Sequence, residues 1–150
     1  MRTRAGVILI EENKVALIER HRAGLDYFVF PGGRVEEGET VEQGAIREAI
    51  EELGIEVAIR QKVAIIHFGF SKQVYFLVER IGGEFGSGAG EEFLDVNIDS
   101  SEGVYVPIWM PISDLSTHTK VYPADVANLV VRAQTAGWAD EPIEIVEKAS

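Results

Sequence analysis

Apolar positions recur along the chain with two different periods. Val7 to Ile10 is a short continuous apolar run. After the polar triplet Glu11-Glu12-Asn13, the segment Lys14 to Arg20 returns with Val15 and Leu17 on one face. Both segments read as strands joined by a turn. Tyr27 to Phe30 is a short aromatic strand, cut by Pro31-Gly32-Gly33. Ile55 to Ile59, Val63 to Phe70 and Gln73 to Glu79 read as further strands, with a tight hairpin at Ser71-Lys72 between the last two. Gly82, Gly83, Gly86, Gly88 and Gly90 predict a flexible loop that ends at Glu91 and Glu92, and Val104 to Met110 predicts another strand.

Two segments carry helix signals instead. Val41 to Leu53 runs without proline behind Thr40, a good N-cap, with Gln43 at capping-box spacing and Gly54 suited to the left-handed position past the end. Pro123 to Ala136 is opened by proline and closed by Gly137. Beyond residue 138, Ile143, Ile145 and Val146 fit either an edge strand or contact with a second copy, which leans towards a homodimer. Strands on both sides of a helix, with short connections, predict an α/β fold: a mixed sheet with helices on both faces.

Length and composition narrow the class. The 150 residues fit a single domain, 1–150. Hydrophobic residues make up 46%, enough to bury a core, so an acidic disordered tail is excluded. The absence of cysteine excludes disulfides, thiolate zinc sites and cysteine nucleophiles. Ala5 to Ile10 is too short for a signal-peptide core, and no apolar stretch approaches the roughly 20 residues of a membrane span. The expectation is a cytoplasmic protein without a membrane partner. A net charge of −11 repels nucleic-acid backbones, so no nucleic-acid partner is expected. Small phosphorylated ligands remain open, because a local cation reverses the sign.

The charge is not evenly spread. Residues 33 to 55 hold seven acids (Glu36, Glu37, Glu39, Glu42, Glu48, Glu51, Glu52) against two bases (Arg34, Arg47), a net of −5. At about 100° per residue, Glu48, Glu51 and Glu52 share one arc of the helix, while Ala49, Leu53, Ile46 and Ile50 share the opposite one. That wheel predicts the apolar arc against the sheet and the carboxylates turned away from it. Three neighbouring carboxylates repel unless a cation neutralises them, and magnesium takes one or two carboxylates plus phosphates and water. Arg47, on the flank, is placed to bridge to Glu39. Gly32 and Gly33 allow close backbone approach, and a carbonyl there would complete an oxygen shell.

Together these residues resemble the Nudix box. The family pattern is Gly, five residues, Glu, seven residues, Arg-Glu-aliphatic, one residue, Glu-Glu, one residue, Gly-aliphatic. This chain has Gly33, Glu39, Arg47-Glu48-Ala49, Glu51-Glu52 and Gly54-Ile55, with Ala49 smaller than the usual aliphatic residue. The resemblance implies an α/β/α sandwich around a mixed sheet, and metal-dependent hydrolysis of a nucleoside diphosphate linked to another moiety. It implies Mg2+, or Mn2+, held by Glu48, Glu52 and Glu51 with a carbonyl of Gly32 or Gly33. It places Arg47 and Glu39 in the same catalytic group. The general base is one of the box glutamates or a loop acid, Glu91 or Glu92. Arg20 and Arg22, which follow a strand just before the Pro31 turn, are candidates either to meet a phosphate or to face solvent. Tyr27, Phe28, Phe68, Tyr75 and Trp109 divide between base stacking and core. The alternative is a nucleotide-sensing module on the same fold without turnover.

Overall fold

The computed structural model describes residues 2–87, 104–117 and 120–147. Its strands are β1 (Arg2–Glu11), β2 (Lys14–Arg22), β3 (Leu25–Val29), β4 (Gly32–Arg34), β5 (Ile55–Phe68), β6 (Ser71–Gly83), β7 (Val104–Pro111), β8 (Val121–Tyr122) and β9 (Ile143–Glu147). Its helices are α1 (Val41–Leu53), α2 (Ile112–Leu115) and α3 (Ala124–Ala136).

The sheet is mixed, as expected. β1 lies parallel to β6 along Arg2 to Leu9 and antiparallel to β4 at Arg4 to Gly6. β5 pairs with β6 antiparallel and with β9 parallel. β2 leaves β1 at the Glu12-Asn13 turn, where both residues take positive φ, and pairs with β3 on one edge and β7 on the other. β1 and β2 are joined in register only at their tips, at Ile10↔Val15 and Glu11↔Lys14. Below that junction the two halves of the sheet diverge and leave a cleft.

Each face of the sheet has its own apolar core. One holds Val7, Leu9, Ala45, Ala49, Leu53 and Phe76 beneath α1. The other holds Ile8, Leu17, Phe30, Val126 and Val130 beneath α3. The two successive faces of β1 therefore feed different cores, which explains its unbroken apolar run. The result is the α/β/α sandwich.

Several expectations change in detail. Residues 55–59 and 63–70 are not two strands but parts of one, β5, with register shifts between Glu56 and Val57, Ile59 and Gln61, and Lys62 and Ala64. Such bulges break apolar alternation and imitate a strand end. The hairpin turns at Gly69 and Phe70 rather than at Ser71-Lys72; Gly69 has φ +57°. Gly82 and Gly83 belong to β6, where Gly83 packs so closely that a Cβ would stand 2.3 Å from the Gly54 carbonyl oxygen. Pro31-Gly32-Gly33, read as a turn, contributes β4. Strand propensity is low there, and pairing with β1 overrides it. Gly88, Gly90, Glu91 and Glu92 lie outside the described residues. Beyond Gly137, Ile143 and Ile145 form an edge strand that packs on the chain's own core, while Val146 is exposed. Among the described residues no helix is long and apolar enough to cross a membrane.

Helix α1 has the predicted ends and an unpredicted face. The Thr40 hydroxyl accepts from the Gln43 N–H at 3.0 Å, and the Gln43 amide oxygen accepts from the Thr40 N–H at 2.8 Å. Gly54 closes the helix with φ +76°. The buried residues, however, are Gly44, Ala45, Glu48, Ala49 and Leu53, while Ile50 is 40% exposed. The wheel holds for Ala49 and Leu53 and is corrected for Glu48, which turns inward, and for Ile50, which turns outward. Small side chains let α1 approach β1 and β4 closely, and that close contact takes precedence over the transfer energy of Ile50, while Ile46 still packs against the core.

Candidate active site

The buried face of α1 meets β4 at its two glycines. The Gly32 N–H donates to Glu52 Oε2 at 2.9 Å. Glu48 is 8% exposed and its carboxylate lies flat against Gly33, where a Cβ would stand 2.1 Å from Oε2. A side chain at residue 33 would push the Glu48 carboxylate aside. Burial pushes the Glu48 carboxyl above the usual carboxylate range, and Arg47 opposes that shift.

Arg47 is the hub of the charged cluster. Its Nε and Nη2 donate to the two Glu39 oxygens at 2.8 and 3.0 Å, a bidentate fork. Nη1 donates to Glu51 at 3.0 Å and to Glu48 at 3.4 Å, and Nη2 also donates to the Arg34 carbonyl at 2.9 Å. Glu39 accepts from the Glu36 N–H at 2.8 Å as well. The Arg47 hydrogen bonds, followed by that N–H, hold its carboxyl down to about 2. The anticipated bridge between Arg47 and Glu39 is thus formed, and it ties the charged loop to the helix.

The three box carboxylates do not form a closed cage. Among the described residues no three His, Asp or Glu groups are arranged to hold a metal by themselves. Glu48 and Glu51 lean on Arg47, and Glu52 leans on Gly32. Their donors are nevertheless all hard oxygens within one helical turn. A magnesium-like ion needs only one or two such carboxylates when phosphate and water complete its shell. The residues present fit a divalent ion shared with a substrate.

Glu52 and Gly32 also line a cleft of about 370 Å³ between the diverging halves of the sheet. The size is that of a small-molecule site. Arg20 enters it from β2, with its guanidinium carbon 4.0 Å from the Tyr105 ring centroid and 5.6 Å from that of Tyr27. It also donates to the Tyr105 hydroxyl. Arg22 is exposed at the end of β2 and does not line the cleft, so the structure separates the two arginines that the sequence grouped. Glu91 and Glu92 lie outside the described residues.

The aromatic candidates also divide. Tyr75 is buried at the cleft wall, Trp109 stacks on Phe85 at 4.6 Å, and Phe68 is exposed away from the cleft. Arg4, Gln73, Tyr105 and Tyr122 line the cleft too and were not anticipated. They come from β1, β6, β7 and β8, and only strand register brings them together. His67 pairs with Glu144 at 3.0 Å, well outside the cleft.

This box on this fold defines a class. The family model described as NUDIX domain matches residues 1–129, and the chain belongs to that family. It is 35% identical over 100 residues to the ADP-ribose pyrophosphatase of Methanocaldococcus jannaschii, covering 60% of this chain and 59% of that protein. It is 44% identical over 57 residues to the 8-oxo-dGTP diphosphatase of Proteus vulgaris, covering 35% of this chain and 49% of that protein. The match thus spans only about half to three fifths of these relatives. Among solved structures, a NUDIX hydrolase from Nitrosomonas europaea superposes with a TM-score of 0.71 at 20% identity, over 99% of this chain and 79% of that one. This last likeness concerns the fold.

Proposed function

We propose that the protein hydrolyses the diphosphate linkage of a nucleoside diphosphate joined to another moiety, with a divalent metal ion. The observation that carries this reading is the contact between Glu52 and the Gly32 N–H on the wall of a cleft that also holds Arg20. A box carboxylate, a flexible glycine strand and a cation share one space of nucleotide size. The two curated relatives, whose names describe a pyrophosphatase and a diphosphatase, support the same chemistry.

In this reading Glu48, Glu51 and Glu52, with a carbonyl of Gly32 or Gly33, hold the ion, either Mg2+ or Mn2+. The ion neutralises charge on the diphosphate and lowers the pKa of water. Water forms a new P–O bond, the bridging P–O bond breaks, and the displaced phosphate oxygen carries away the electron pair. The water's proton passes to a carboxylate, one of the box glutamates or Glu91 or Glu92. Arg47 and Glu39 position the box carboxylates. Arg20, steadied by Tyr105, meets phosphate oxygens, and Arg22 is left to the rim.

The test is hydrolysis of a panel of nucleoside triphosphates, nucleotide sugars and dinucleotides with magnesium or manganese. Turnover of at least one member is expected, and its loss with chelator and in Glu52→Gln. Equal rates for Glu52→Gln and the parent overturn the site. Tight nucleotide binding without turnover overturns the reaction and leaves a sensing module.

A further inference from the structure

The cleft has a second cationic wall, built on β1 and β6. Arg4 and Gln73 are register partners in the parallel β1–β6 pair, so they sit side by side on one face, and both line the cleft. Two residues further along the same face, Gly6 is the partner of Tyr75. The Tyr75 ring lies directly over Gly6: a Cβ there would be 2.2 Å from a ring carbon. This places the Tyr75 hydroxyl 2.8 Å from Gln73 Oε1, to which it donates. One lone pair of the Gln73 amide oxygen is therefore taken by Tyr75, which fixes the amide and leaves its NH2 group to donate to a ligand.

Arg4 beside it is a donor only; among the described residues no carboxylate stands within ion-pair distance of it, and its charge reaches Glu48. Glu147, the acid whose charge reaches Tyr75, is engaged with Asp125. A guanidinium and a fixed amide NH2 side by side suit negatively charged oxygens. A neutral hydroxyl accepts from the same donors without the charge attraction that strengthens the bond to an anionic oxygen. The cleft's other wall, from β2, β3 and β7, carries Arg20 between the rings of Tyr27 and Tyr105. Tyr105 lines the cleft on that side, and Glu52 and Gly32 line it as well.

We infer that Arg4 and Gln73 form an anion subsite for the group on the far side of the scissile diphosphate, so that the preferred substrates carry a further phosphate there, as in a nucleoside triphosphate. Substrates with a neutral sugar at that end are disfavoured. The inference rests on the proposed hydrolysis for its substrate side, and Tyr75 acts as a positioning residue for Gln73.

The experiment compares kcat/KM for a nucleoside triphosphate and for a nucleoside diphosphate joined to a neutral sugar, in the parent, Arg4→Gln and Gln73→Glu. The parent is expected to favour the triphosphate. The ratio of the two values is expected to fall about tenfold or more in each variant, the size of a lost charged hydrogen bond or an added repulsion. A ratio unchanged in both variants, or a parent preference for the neutral sugar, overturns the subsite. Thermal melting with inorganic tripolyphosphate separates this outcome from failure of the hydrolysis reading. If no substrate turns over, a melting-temperature rise present in the parent and lost in Arg4→Gln still supports the subsite. A rise retained in Arg4→Gln, or absent from the parent, overturns it. Arg4 is exposed, so Arg4→Gln is expected to fold normally.

Discussion

Gly33 and Glu48 are in contact across the β4–α1 junction, with no room for a side chain at residue 33. The backbone conformation of Gly33 is not what demands glycine; the carboxylate lying on it is. Box spacing and strand pairing therefore meet at one contact, and its disturbance separates catalysis from stability.

Gly33→Ala is expected to move Glu48 rather than the backbone, because the clashing atoms are the end of a rotatable side chain. The stability cost is about 1 kcal/mol, whereas misplacing a reacting carboxylate costs on the order of 10²-fold in kcat/KM. Steady-state kinetics beside urea denaturation checks this. Equal activity in the variant and the parent contradicts it.

Arg47→Ala removes the counter-charge of Glu39, Glu48 and Glu51 together. Glu48 is then left buried beside another carboxylate. A loss of about 1–3 kcal/mol is expected, between the values for exposed and buried ion pairs, since Arg47 is partly solvent-exposed. Arg47→Lys is expected to recover little, because an ammonium does not reproduce the fork on Glu39. Urea midpoints for both variants decide the point.

Glu39 titrates well below an ordinary glutamate, at about 2 against 4.5. Its folded pKa lies below its unfolded one, so its stabilisation is complete above the unfolded value. It is lost as pH falls from about 4.5 towards 2. Part of the acid-induced loss of stability is expected to disappear in Glu39→Gln. If the variant and the parent lose stability with the same slope over that window, the assignment fails.

His21 is flanked by Asp26 at 2.5 Å and Glu19 at 3.0 Å. The Asp26 hydrogen bond raises its pKa above the usual 6.5. Any stabilisation from this pair is therefore fully present below about 6.5 and fades as pH rises through the folded value. An NMR titration is expected to give a midpoint above 6.5, and Asp26→Asn to lower it. A midpoint that does not move shows that Asp26 is not the cause.

Gly6→Ala places a methyl group in the buried Tyr75 ring, which has little room to yield. A destabilisation of about 1–3 kcal/mol is expected. The comparison with Gly33→Ala is informative: similar clashes, one against a ring and one against a side-chain end, with opposite balance between stability and activity.

The ends of α1 were legible because capping is local: Thr40, Gln43 and Gly54 act within a few residues of themselves. The Nudix box was legible for the same reason, since its spacing is written along one loop and one helix. The bridge from Arg47 to Glu39 followed from that spacing. The buried face of α1 was legible in part: Ala49 and Leu53 lie on it as expected, Glu48 does not follow the pattern. A wheel weights residues by hydrophobicity and turns Ile50 inward, while the packing surface is set by how closely two backbones approach. Gly44, Ala45 and Ala49 permit that approach, and Glu48 is carried inward with them.

The cleft lay still further from view. Arg4, Gln73, Tyr75, Tyr105 and Tyr122 are scattered over more than a hundred positions and look ordinary one at a time. Local chemistry along the chain thus determined the class of protein and the carboxylates proposed to hold its metal ion. Only the folded sheet decided which cations share their space, because strand register places side chains from distant segments next to one another and a linear pattern carries no record of that pairing.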